Sequence, residues 1–263
     1  MSRSNQTEIK NPALHFLQWK GEKSIKKVEG KIIETDKHCF VYYNKEKKEN
    51  IEIPMPVTFI VLDTLHTIKG YNESEGQGYY SNEIRSKDFK IAPFRVKCGK
   101  NDAAEGLYAD IMPTLKSNGA KYCQIVYVLM KEGEEWVINN IQIQGAALGP
   151  WIDFCKNANV MKIAVKVDEW VEETKGTNTF NIPVFKACPV SESTNQVAVD
   201  MDKELQDYLT KYFTRNSNDE AGHKAAEEFL DTEDLPTIAE QKRLADEYEA
   251  RQPKEGYATD LPF

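Results

Sequence analysis

Catalytic and cofactor signatures are missing from this sequence of 263 residues. Neither G-x-x-x-x-G-K-[ST] nor G-x-G-x-x-G occurs, and Glu75-Gly76-Gln77-Gly78 lies in a polar stretch that opens no helix. There is no G-x-S-x-G and no H-E-x-x-H. Asp63 and Glu83 are the carboxylates nearest to a nuclease-like pair, but no third acid accompanies them at a suitable spacing. Four scattered histidines and five cysteines without a C-x-x-C pair give no metal-site spacing, and the cysteines read as reduced core thiols. No metal, no cofactor and no enzymatic activity are therefore expected. Charge-free runs such as 55–62 and 122–130 fall well short of the roughly 18 apolar residues of a membrane span. Residues 1–8 carry no apolar run behind Arg3, so no secretory signal is expected and the expected location is a cytoplasm.

Charge is present in quantity but is unevenly placed. The whole chain has a formal net charge of -8. Residues 1–100 hold 18 basic and 13 acidic side chains, whereas residues 191–263 hold 8 basic and 18 acidic ones. A basic first part and an acidic end form the asymmetry of a nucleic-acid surface followed by an acidic tail.

Between residues 38 and 192 the pattern is β-rich, with short alternating runs of β-branched and aromatic residues separated by turn residues. Strands are expected at 39–44, 57–70, 78–84, 89–97, 120–130, 136–144, 160–171 and 177–188. Lys131-Glu132-Gly133-Glu134 reads as a hairpin turn. The Ala-rich stretch 145–157 reads as a short helix between strands, with Pro150 in its first turn. Several strands, a helix and further strands is the order of an OB-type antiparallel barrel, with extra strands needed for 38–56 and 98–116. Residues 1–37 are expected as an N-terminal extension. Residues 193–215 place Val197, Met201, Leu205, Tyr208, Leu209 and Tyr212 at helical spacing, which predicts an amphipathic packing helix capped by Ser193-Thr194. That helix suits an intramolecular dock or a homo-oligomer equally. Residues 216–263 read as an acidic mobile tail, with a second short helix at 236–250.

The chain ends Asp260-Leu261-Pro262-Phe263. This resembles the C-terminal tip of bacterial single-stranded-DNA-binding proteins, in which an acidic stretch leads to an acidic residue, an aliphatic residue, Pro and a terminal Phe. The resemblance implies that these four residues recruit phage or host replication and recombination proteins. Pro262 stiffens the backbone, and Phe263 offers a large apolar ring beside carboxylates. The tip departs from that family's in its separated acids and its charged linker. The body is also similar to single-stranded-DNA-binding proteins of Bacteroidetes bacteriophages, including crAss-like phages, over 11–19, 59–71, 80–85 and 145–148. That similarity implies an OB-type core, a non-enzymatic role in DNA replication or recombination, and residence in the host cytoplasm.

Sequence-independent binding of single strands needs cations for phosphates and aromatic faces for bases. The densest interleaving of the two lies at 69–97, with Lys69, Tyr71, Tyr79, Tyr80, Arg85, Lys87, Phe94, Arg95 and Lys97. Alternation sends the neighbouring rings of Tyr79 and Tyr80 to opposite faces, so one of them is expected to stack. Trp19 with Lys20, and Tyr43 beside the lysines at 45, 47 and 48, are further candidates. Trp136, Trp151 and Trp170 read as core. The reading is a single-stranded-DNA-binding protein. The alternatives are a virion structural or assembly protein and a single-strand annealing or recombination mediator on the same fold.

Overall fold

The computed structural model describes residues 10–28, 31–176 and 178–218. About half of the chain, 51%, is strand, organised as one fourteen-stranded sheet that curls into an open half-barrel. Its elements in chain order are β1 (Phe16–Lys20), β2 (Glu22–Val28), β3 (Lys31–Asp36), β4 (Cys39–Asn44), β5 (Glu49–Ile53), β6 (Val57–Asn72), β7 (Gln77–Ser81), β8 (Ile84–Arg85), β9 (Phe94–Cys98) and β10 (Asn101–Gly106). Then follow α1 (Tyr108–Ser117), β11 (Ala120–Glu132), β12 (Glu135–Ile143), α2 (Leu148–Asn157), β13 (Ala164–Lys175), β14 (Asn178–Cys188) and α3 (Glu192–Asn218).

The main path through the sheet is β3-β2-β14-β13-β6-β11-β12-β1-β4-β5. The far end of β6 pairs with β7 and β8, and β9 and β10 continue the sheet beyond β7. Most pairs are antiparallel, as expected. The exception is β1, which runs parallel to β12 with Leu17 opposite Ile141. The core therefore starts before residue 38. Residues 16–36, expected as an extension, supply three strands, and Leu17 is fully buried.

The sheet has two apolar faces because its long strands alternate large side chains both ways. On the inner face Val57, Phe59, Val61, Val126, Val128 and Trp151 form one cluster that Phe40 and Val165 reach from distant strands. On the outer face Leu65, Ile125, Tyr127 and Leu129 meet Ala198, Leu205 and Leu209 of α3. A bulge in β6 beside Tyr127 keeps both sets in phase. The third cluster joins Ile68, Tyr79, Phe89, Phe94, Tyr122 and Leu115 of α1.

Two expected elements end differently. Residues 98–116 form one strand and a helix rather than strands alone, and residues 86–93 turn through a short 3-10 segment before β9 begins. The cap of α3 is Ser191, whose Oγ accepts from Thr194 N at 3.1 Å, rather than Ser193-Thr194. The β11–β12 hairpin turns at Gly133 with φ +62°, as the Gly in that position requires. All five cysteines are free thiols. Among the described residues no helix is long and apolar enough to cross a membrane.

Candidate nucleic-acid interface

The 69–97 segment divides by face. Tyr79 and Phe94 point into the third apolar cluster, 3% and 0% exposed, and Tyr79 OH accepts from Asn72 Nδ2 at 3.1 Å. Tyr80 points to the outer face but is 4% exposed, with its OH donating to Gly99 O at 2.6 Å. All three rings are corrected from base-stacking candidates to core. On the inner side Tyr79 and Phe94 pack with Leu115 of α1, so these aromatics close the sheet against that helix.

Arg85 is also reassigned. Its guanidinium donates to Gln206 Oε1 at 3.0 Å and to Asp63 Oδ2 at 3.4 Å, and it lies 4.9 Å from the centroid of the Phe213 ring. Gln206 Nε2 donates to the same Asp63 oxygen at 2.9 Å. Arg85 and Asp63 thus fasten α3 to the sheet, and this cation is consumed inside the fold.

Three lysines and the buried Tyr80 form a row on the outer face. Strand register places Lys121 of β11 opposite Lys69 of β6, Lys69 opposite Tyr80 of β7, and Tyr80 opposite Lys97 of β9. Asp102 of β10 follows, its Oδ1 4.0 Å from Lys97 Nζ. Lys69, Lys97 and Lys121 are half-buried, with stems on the sheet. Two residues along β6 on the same face is Tyr71, half-exposed and directly opposite Gly78. Its other neighbour is Gly119, where φ is +95° and an added Cβ would stand 2.1 Å from Tyr71 O. Glycine on both sides leaves Tyr71 with no directly opposed cross-strand side chain. Lys87 and Arg95 are exposed nearby in sequence, Arg95 Nε standing 3.6 Å from Glu105 Oε1.

Lys121 escaped notice in the sequence because it lies alone between apolar residues, 52 positions from Lys69. Only the pairing of β11 with β6 brings the two together. Conversely, Trp19, Lys20 and Tyr43 sit on β1 and β4, with β11 and β12 between them and β6. Trp19 donates from Nε1 to Asn181 O at 2.9 Å and packs edge-on against Phe40, so its ring belongs to the inner cluster. Trp170, expected in the core, is 40% exposed and stacks on His38 with centroids 3.7 Å apart. The tip Asp260–Phe263 and the helix expected at 236–250 lie outside the described residues.

Two titratable groups beside this region are strongly perturbed. Glu83 retains some surface, yet desolvation dominates and raises its carboxyl to about 7, with Lys69 pulling the other way. His66, fully buried, is lowered to about 4 by the same cause. A directed chain explains how His66 is kept neutral. Trp151 Nε1 donates to Gln124 Oε1 at 2.8 Å, and Gln124 Nε2 donates to Tyr122 OH at 3.1 Å. Tyr122 then donates to His66 Nδ1, His66 Nε2 to Ser86 Oγ at 2.9 Å, and Ser86 to Thr64 O at 3.1 Å. This direction puts the His66 proton on Nε2. The pair is a structural relay linking the first and third clusters.

The chain matches no protein-family profile, no curated protein and no solved structure.

Proposed function

We propose that this protein binds single-stranded DNA without sequence preference and does no chemistry on it, using an OB-like β core in replication or recombination. One observation carries the reading: Lys69 and Lys97 share an outer sheet face with Tyr71, whose ring stands between glycines. Cations for phosphates beside an open aromatic face are the two parts that single-strand binding needs. The acidic end with Asp260-Leu261-Pro262-Phe263 serves, in this proposal, to recruit replication partners.

Titration of the full chain with oligo(dT), followed by tyrosine and tryptophan fluorescence, tests the binding. Salt-sensitive quenching is expected. No signal and no mobility shift at 50 mM salt would sink the proposal. Removing Asp260–Phe263 is expected to leave oligonucleotide affinity intact or higher while abolishing capture of replication proteins. Loss of DNA binding on that deletion would contradict the role given to the tip.

A further inference from the structure

The geometry points to a defined path: we propose that Lys121, Lys69 and Lys97 form a three-cation phosphate track on which a single strand crosses β11, β6, β7 and β9 at right angles, with one base on Tyr71. The inference rests on the single-strand reading above and adds the face, the direction and the number of phosphates.

Register supports it most directly, because the three lysines and Tyr80 occupy one continuous row of cross-strand neighbours. At about 4.8 Å per strand the row spans about 14 Å from Lys121 to Lys97. Tyr71 lies about 7 Å to one side of it along β6. Lys121 and Lys69 are directly opposed like charges, an arrangement that costs a sheet stability. Asp102, next after Lys97, ends the track with the opposite sign. The Lys69 ammonium acts on the Glu83 carboxyl, so Glu83 competes with a phosphate for the middle contact.

The test uses the full chain and a fluorescein-labelled oligo(dT), with affinity measured from 50 to 200 mM salt. Replacing Lys69, Lys97 and Lys121 together by Met keeps the stems while removing three charges. Three lost phosphate contacts are expected to lower the log-log salt slope by about 2. The advantage of 50 mM over 200 mM salt should then shrink about 15- to 20-fold. A charge-matched control replaces Lys45, Lys47 and Lys48, which are exposed in the β4–β5 turn, and should keep the wild-type slope. Thermal unfolding of both variants checks that the fold is retained.

Equal loss in both variants, or no change in the first, would overturn the track while leaving single-strand binding standing. A wild-type chain that fails to bind at 50 mM salt would remove both. Glu83→Gln is expected to tighten binding, a sign that a loosened fold does not produce. Weaker binding in that variant would remove Lys69 from the track.

Discussion

The outer face of β6 and β11 has two halves that differ sharply over a few residues. Toward one end Leu65, Ile125, Tyr127 and Leu129 are sealed beneath α3. Toward the other, after Thr67 and Cys123, the same strands present Lys69, Lys121 and Tyr71. Backbone pairing runs unbroken through both halves from Gly70 to Thr64. The difference is made by side chains and by what covers them. One half of a continuous ladder therefore serves stability, and the other is left for a ligand.

The comparison breaks most severely if the covered half is hollowed out. Leu205→Ala and Leu209→Ala, at positions of α3 fully buried against the sheet, are each expected to cost about 2–5 kcal/mol in urea unfolding. Oligo(dT) affinity of the molecules that remain folded should be unchanged, since the row keeps its own strands.

A pH titration of stability separates the two halves differently. His66 has its folded value lowered from 6.5 to about 4, so the unfolded chain takes up a proton that the folded one resists. Stability is full above about pH 6.5 and falls as pH drops through 4, by about 3 kcal/mol in all. His66→Gln should flatten that part of the curve. Glu83 acts with the opposite sign: its folded value is raised to about 7, so its contribution is present below about 4.5 and is lost as pH rises through 7. Denaturant midpoints measured from pH 4 to 9 should show both limbs, and Glu83→Gln should remove only the upper one.

Two smaller substitutions sharpen the boundary. Tyr71→Ala is expected to weaken oligo(dT) binding by about 1–3 kcal/mol and to shift stability by less than about 0.5 kcal/mol. Arg85→Met should do the reverse. It leaves Asp63 without its cation and costs about 1–3 kcal/mol of stability, while the salt slope of DNA binding stays where it was. A drop in that slope would return Arg85 to the binding surface.

Much of the fold was legible because it is written in period-two alternation and in turns. The long runs that became β6, β11, β12 and β14 carry that pattern strongly, and the hairpin at Gly133 and the helix at 192–218 follow from local chemistry. The N-terminal strands were not legible. Residues 22–28 are mostly charged, and their place in the sheet comes from pairing with β14, which no local pattern announces. The site was only half legible for a related reason. Composition located the basic and aromatic segment but could not separate Tyr71 from Tyr79, since both are tyrosines beside glycines. Burial separates them, through the apolar cluster that Phe89, Phe94 and Tyr122 build around Tyr79. The structural role of Arg85 was not legible because its partners Asp63 and Gln206 lie 22 and 121 residues away.

The parallel pairing of β1 with β12 has a bearing on how the molecule assembles. β1 lies near the start of the chain, yet Gln18 and its partner Gln142 are 124 residues apart. The antiparallel partner β4 is close by, and β4 pairs in turn with β5. A three-stranded unit from residues 16–53 can form early, but it must wait for the β11–β12 hairpin before it docks. Until then both β1 and β12 present unpaired edges, the kind that invites pairing between chains. Shortening the chain past residue 20 would make that transient condition permanent, splitting the sheet beside the buried Asn140 and Ile141.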